Sequence, residues 1–381
     1  MAVALYVIAG ELSGDAHGAG MLRALRSMHP NLEIHGAGGP EMRAVAGPGL
    51  KDWVEDAAVM GLWEVLKRYG WFKQRFAEML AEVKALKPKI LVLIDYPGFN
   101  LRFAAAVKEA LPETKIIYYI SPQVWAWNKG RLPKMAQLLD EMLCLFPFEK
   151  PIFEGAGLPT TFVGHPLVDE LEEEREGGGR ESDLVALLPG SREREVARLF
   201  PMMLEAARRL HLKRPETRFE ACGASAKLTA RMRELVENAK MQDQVTVREG
   251  GAHELMQRAE CGVVASGTAT LEAAYFGLPY CLVYKVAWPT YLAAKALVKI
   301  EHIGLINILA GHKVVEEFIQ SEADPLHVEQ ALGRFLDDIP HREETRQKLL
   351  ATASKLGGPG AHLRAASAIS RWVRKVGSEG K

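Results

Sequence analysis

Two kinds of segment alternate along this chain. Short runs with little polar interruption, at residues 3–9, 90–94 and 115–120, are each followed by stretches with helical apolar spacing, at 16–28, 101–111 and 129–139. Strands that are apolar throughout, rather than at every second position, suit a parallel sheet covered by helices on both faces. A second series repeats the alternation, with strands predicted at 184–188, 218–222, 244–247, 262–265 and 280–283. The pattern predicts an α/β protein of two domains. Between the two series, residues 170–180 are polar, charged and glycine-rich, as in an exposed linker, and separate a first domain, 1–170, from a second, 171–355. The last segment, 356–381, has helical apolar spacing at Leu363, Ala366, Ile369, Trp372 and Val373 and is predicted to pack back on the first domain.

Composition narrows the function classes. A chain of 381 residues, 48% hydrophobic, can fill two cores. Lys+Arg and Asp+Glu both total 48, so no net field draws the chain to nucleic acid. The four cysteines stand singly among strand-like residues, without zinc or redox spacing, and suit a reducing cytoplasm. No apolar stretch approaches roughly 20 residues, since the run near Leu297 is broken by Lys295 and Lys299. Membrane contact is therefore expected to be peripheral. His17, His35 and His165 read as isolated structural histidines, and no Asp-x-Asp pair occurs, so neither a metal nor a cofactor is expected.

In open parallel sheets ligands gather beyond the carboxyl ends of the strands, and the candidate chemistry lies at such ends. Leu188-Pro189-Gly190-Ser191-Arg192 is a strand, a small-residue turn and a helix start, which offers backbone N–H groups and a forked cation to phosphate. Ser266-Gly267-Thr268 repeats the arrangement, with Glu272 one turn into its helix, placed to accept from ribose hydroxyls or else a plain surface residue. A nucleoside diphosphate fits between the two turns. In the first half, Asp95 follows Leu91-Val92-Leu93-Ile94, where burial can raise a carboxyl pKa into a general base's range; the alternative is a helix-capping acid. Glu11 and Asp15 suit acid, base or sugar-hydroxyl roles, although Asp15 also reads as an N-cap. Ser13 has no nucleophile elbow or partners, which excludes hydrolase chemistry. One domain for a donor and one for an acceptor describes group transfer. Residues 59–76 mix large apolar groups with four cations, an interfacial composition whose alternative is a core helix with a basic face.

Gly10-Glu11-x-Ser13-Gly14-Asp15, Asp95-x-Pro97-x-Phe99-Asn100, Ser121-Pro122-x-Val124-Trp125-Ala126-Trp127 with Arg131, Phe146-Pro147-Phe148-Glu149, Gly164-His165, Leu188 to Arg192 with Glu195, and Ser266-Gly267-Thr268-Ala269 with Leu271-Glu272 together resemble the lipid-A-disaccharide synthases. The resemblance extends to Asn307-Ile308-Leu309-Ala310-Gly311 and spans nearly the whole chain. It implies a GT-B fold, two Rossmann-like domains facing a central cleft. It also implies inverting transfer of 2,3-diacylglucosamine from UDP-2,3-diacylglucosamine to the 6-hydroxyl of 2,3-diacylglucosamine 1-phosphate, giving a β-1,6 disaccharide and UDP. By the same resemblance Asp95, with Glu11 and Asp15, is catalytic. Gly190, Ser191, Arg192, Ser266, Gly267, Thr268, Glu272 and Asn307 bind the donor, and Ser13, Asn100, Gln123 and Trp125 the acceptor. Since both substrates carry acyl chains, Trp63, Leu66, Lys67, Arg68, Trp71 and Phe72 become membrane contacts, on a cytoplasmic enzyme at the inner face of the inner membrane. Exchange of C-terminal helices between subunits would give a homodimer. A UDP-sugar 2-epimerase of the same architecture is the alternative activity.

Overall fold

The computed structural model describes residues 4–57, 68–127, 129–297 and 301–378. Strands β1 (Ala4–Ala9), β2 (Glu33–Gly38), β3 (Leu50–Asp52), β4 (Ile90–Ile94), β5 (Lys115–Tyr119), β6 (Glu141–Cys144) and β7 (Thr160–Phe162) form one sheet in the order β3-β2-β1-β4-β5-β6-β7. Strands β8 (Glu181–Leu188), β9 (Arg218–Gly223), β10 (Val245–Glu249), β11 (Ala259–Ala265), β12 (Tyr280–Tyr284) and β13 (Glu317–Ile319) form a second, in the order β10-β9-β8-β11-β12-β13. Every pairing in both sheets is parallel. The chain divides into two compact units, Met1–Val168 with Gly357–Lys381, and Asp169–Leu356.

All but one of the predicted strands lie inside their sheets and are largely buried; the exception is β10, an edge strand with Thr246 exposed. Five strands fell outside the predicted set, and each carries a reason. β2 is glycine-rich with Glu33 and His35, β3 and β13 have three residues each, and β6 and β7 begin on Glu141 and Thr160. The predicted linker is also corrected. Leu167–Glu173 is a helix, and the Arg180 guanidinium donates to the carbonyls of Met256, Ala259 and Phe276, leaving 175–179 as exposed chain.

Helix Ala361–Ser378 completes the first unit within a single chain, packing on helix Leu12–Met28. Gly20 permits the approach, because a Cβ there would lie 2.5 Å from Nδ1 of His362. Glu141 at the start of β6 is buried and accepts from Trp372 Nε1 at 2.6 Å and Arg371 Nη2 at 2.9 Å.

Strand register fixes where chemistry can sit. In the first sheet Ala9 pairs with Ile94, so Gly10-Glu11 and Asp95 leave neighbouring strands at the point where the strand order reverses. In the second, Leu188 pairs with Val264, and the turns at 189–192 and 266–268 flank the equivalent point. Such switch points are where doubly wound sheets hold ligands.

Candidate active site

The turn after β4 is built against backbone preference. Asp95 and Tyr96 both take left-handed conformations, φ 46° and 50°, each costing a non-glycine residue about 1 kcal/mol or more. Several bonds hold it. The Asp95 N–H donates to the Tyr119 carbonyl at 2.9 Å, and the Asp95 carbonyl accepts from the Tyr118 hydroxyl at 2.5 Å and the Asn100 amide at 2.7 Å. That amide also reaches the Ile94 carbonyl at 3.1 Å. Asn100, expected to bind the acceptor, is fully buried; its amide nitrogen shapes the turn that presents Asp95, while its Oδ1 has no hydrogen-bond partner among the described residues. Burial, reinforced by the nearby Glu11 carboxylate, raises the Asp95 pKa to about 6.

Asp15 is corrected in the same way. It lies inside helix Leu12–Met28, 1% exposed, and its carboxylate accepts from the N–H groups of Gly39 at 2.7 Å, Glu41 at 2.9 Å and Met42 at 3.0 Å. It caps the next helix, Pro40–Ala46, instead of its own, and has no oxygen committed to chemistry. Trp125 is also buried and donates its indole N–H to Glu149 Oε1 at 3.0 Å, a support for the loop where an acceptor contact was expected. Glu11, Ser13 and Gln123 are exposed, and Glu11 acts electrostatically on Asp95. Two of the three histidines read as structural, His17 and His165, each have a histidine neighbour. The rings of His17 and His362 lie 5.8 Å apart, and burial together with a neighbouring histidine lowers His17 and His165 to about 4.

Of the expected membrane contacts, Trp63, Leu66 and Lys67 lie outside the described residues. Arg68 is exposed and donates to the Asp56 carbonyl at 2.8 Å. Trp71 stacks on Trp53 at 6.0 Å, and Phe72 meets Trp71 edge-on at 4.9 Å, so both are half-buried against the core.

The second unit holds a cavity of about 490 Å³ lined by Gly190, Ser191, Arg192, Glu195, Ser266, Gly267, Thr268 and Glu272, among others. It brings together the expected donor residues except Asn307. Asn307 is fully buried; its amide donates to the Val315 carbonyl at 2.9 Å and Glu317 Oε1 at 2.8 Å, and its oxygen accepts from Val314 at 2.7 Å and Val315 at 3.0 Å. All its hydrogen-bonding capacity ties helix Leu305–Ala310 to the segment entering β13, which corrects its assignment to the donor.

Gly190 is required by shape. Its φ is 105°, and a Cβ would stand 2.4 Å from Glu195 Oε2. Arg192 donates to Glu195 Oε1 at 3.0 Å across the cavity wall, while its head remains largely exposed. Sequence reasoning missed His253. Its Nε2 lies 3.1 Å from Glu272 Oε2 and its Nδ1 2.7 Å from Glu174 Oε2. The hydrogen bond to Glu272, opposed by burial and aided by Glu174, raises its pKa to about 9, so at neutral pH an imidazolium donates to both carboxylates. No motif contains His253; the partners come together only through folding.

Over residues 5–369 the chain matches the family model for lipid-A-disaccharide synthetase. The chain belongs to that family. It is 40% identical over 377 residues to the lipid-A-disaccharide synthase of Trichlorobacter lovleyi and 38% identical over 382 residues to that of Geobacter sulfurreducens, covering 97% of each protein in both cases. A solved structure of a UDP-N-acetylglucosamine 2-epimerase from Listeria monocytogenes, described as putative in its own name, superposes with TM-score 0.60 at 12% identity, covering 97% of this chain and 95% of the other. That likeness shows the GT-B-like architecture and no activity, so the epimerase alternative yields to the family match. Lipid-A-disaccharide synthases are glycosyltransferases, and this chain is a glycosyltransferase of lipid A disaccharide synthesis.

Two stability outcomes follow from the first unit. Because burial and Glu11 disfavour ionised Asp95, the folded form loses stability as pH rises above the unfolded carboxyl pKa, with the full penalty present above about 6. Asp95→Asn, which tolerates left-handed backbone, is expected to raise the thermal midpoint at pH 8, corresponding to a gain in stability of up to about 3 kcal/mol that fades towards pH 4. A lowered midpoint at pH 8 contradicts this. Asp15→Ala, which orphans three N–H groups, is expected to cost about 2 kcal/mol or more in urea unfolding; an unchanged urea midpoint would remove the cap.

Proposed function

We propose that this enzyme transfers 2,3-diacylglucosamine from UDP-2,3-diacylglucosamine to the 6-hydroxyl of 2,3-diacylglucosamine 1-phosphate, with inversion, forming the β-1,6 disaccharide 1-phosphate and UDP. The observation that carries the reading is the Asp95 carboxyl: it is strained into place at the strand-order switch point and shifted to about 6. A carboxylate of that basicity takes the hydroxyl proton as the oxygen attacks the anomeric carbon. The bond to the β-phosphate oxygen breaks, and the departing charge falls to Arg192 and to the first N–H groups of helix Glu193–Lys213, whose N-cap supplies no side-chain acceptor. Glu272, held by His253, takes the ribose hydroxyls.

Acylated substrates call for a surface at which they can enter. No helix among the described residues is long and apolar enough to cross a membrane. In this reading Arg68, with the preceding aromatic and basic residues, rests on the inner face of the inner membrane. Trp71 and Phe72 contribute their uncovered faces to that contact.

The test is incubation with the two acylated glucosamines and mass spectrometry for the phosphorylated disaccharide; absence of that product overturns the reading. Asp95→Asn is expected to lower turnover about 10²- to 10⁴-fold with UDP affinity retained, and the wild-type rate to fall about tenfold per pH unit below about 6, where Asp95 is protonated. Arg192→Ala is expected to weaken UDP binding in calorimetry, and full-strength binding removes Arg192 from the donor site. His253 is charged below about 9, so UDP affinity is expected to fall as pH rises through that value and His253→Gln to flatten the profile. Because uracil ionises in the same alkaline range, the variant supplies the baseline. Parallel wild-type and variant profiles would exclude a role for the imidazolium charge.

A further inference from the structure

The second unit carries an apolar surface that the proposed chemistry does not use. Helix Trp288–Leu297 follows β12, and Trp288, Tyr291, Leu292 and Lys295 stand along one of its faces at helical spacing. That face is turned outward: Trp288 is 57% exposed, Leu292 60%, Lys295 is exposed beside them and Tyr291 is half-buried. A helix of a globular unit ordinarily buries the stripe on which its large apolar residues recur. Here the members of the stripe meet one another instead. The Trp288 and Tyr291 rings lie edge-on at 5.8 Å, and the Lys295 ammonium lies over the Tyr291 ring, 5.9 Å from its centre.

Single exposed apolar side chains are ordinary, whereas a stripe of them fits a partner whose nature its surroundings disclose. Residues 285–300 hold three lysines and no acid, although Asp and Glu make up 48 of the 381 residues. At the start of the helix, Lys285 and Trp288, with Arg198 of helix Glu193–Lys213, border a hollow of about 440 Å³ whose lining contains no carboxylate. Protein interfaces are depleted of lysine at their centres, so a second protein molecule would strand Lys295 among the aromatic side chains. A lipid surface accommodates both kinds of residue. Tryptophan and tyrosine rings settle at headgroup level, leucine reaches below it, and lysine extends its stem to keep its ammonium among the phosphates. With 10 residues the helix is about 15 Å long, half a hydrocarbon core, so it suits lying in the surface and not crossing it.

We propose that helix Trp288–Leu297 is an interfacial anchor by which the second unit binds a bilayer containing anionic phospholipid. Trp288 and Leu292 enter the boundary between headgroups and acyl chains, and Lys285 and Lys295 face lipid phosphates. The anchor rests on the proposed reading of an enzyme that works at a membrane, and it gives the unit that takes the donor a hold of its own, separate from Arg68, Trp71 and Phe72. It needs neither substrate nor turnover.

The experiment sediments the full-length protein with vesicles of phosphatidylcholine alone and of phosphatidylcholine and phosphatidylglycerol in equal parts. The wild type is expected to bind the anionic vesicles more tightly. Trp288→Ser with Leu292→Ser is expected to weaken that binding about tenfold or more, and Lys285→Gln with Lys295→Gln to weaken it about fivefold per cation and reduce the preference for anionic lipid. Unchanged thermal midpoints and UDP affinity check the fold of both variants. Trp288→Phe, which keeps a ring, is expected to retain binding while lowering the quenching of tryptophan fluorescence by lipid brominated in its acyl chains. Undiminished vesicle binding by the Trp288, Leu292 variant overturns the anchor and leaves the first-unit surface as the membrane contact. If that variant also disperses a wild-type dimer in ultracentrifugation, the face is a protein interface instead. A wild type that binds neither vesicle overturns the anchor and the proposed membrane association together, whereas the reaction is judged separately, by disaccharide formation in detergent micelles.

Discussion

Parallel pairing is the constraint from which the rest of this structure follows. A sheet whose strands all point one way needs a crossover between each pair, and those crossovers are the helices that cover both faces. With the faces closed, polar chemistry is confined to the loops at the carboxyl edge. The register then selects among those loops. In each sheet the chain reverses its winding beside the first strand, and the loops that part there leave a gap between them: Gly10-Glu11 and Asp95 in one unit, 189–192 and 266–268 in the other.

This explains which parts of the molecule were readable from sequence. The central strands announce themselves because burial on both faces removes every polar position, as in Leu91 to Ile94. Short or polar-interrupted strands lack that signature: β3, β7 and β13 have three residues each, β2 carries Glu33, His35, two glycines and an alanine, and β6 begins on Glu141. The turn at 189–192 was legible because its shape belongs to the backbone: Gly190 is required by its φ and its contact with Glu195. Polar residues in the motifs behave differently. Asp15, Asn100 and Asn307 stand where ligand contacts were expected, yet each is buried and bonded within the protein, Asp15 and the Asn100 amide nitrogen to backbone groups and Asn307 to backbone groups and Glu317. Sequence shows that a polar group is required at such a position, and only geometry shows towards what it is aimed. His253 is the converse, a residue outside every motif that folding delivers to a motif residue.

The two units treat carboxylates in opposite ways. Around Asp95, burial and a second acid make ionisation reluctant, which increases the group's appetite for a proton. Around Glu272, the His253 imidazolium donates to the carboxylate and blunts its repulsion of other anions. The compensation matters because the charged residues on that cavity's wall are Arg192, Glu195 and Glu272, an excess of negative charge in a place suited to phosphate. The His253 cation behind Glu272, shared with Glu174, offsets part of that excess.

Helix Ala361–Ser378 belongs to the unit that the amino terminus begins, so the second unit is an insertion within the first. During synthesis the second unit therefore has its entire sequence outside the ribosome before the first can close. Until helix Ala361–Ser378 emerges, helix Leu12–Met28 presents an uncovered face, and maturation of the first unit waits on residues made after the whole of the second.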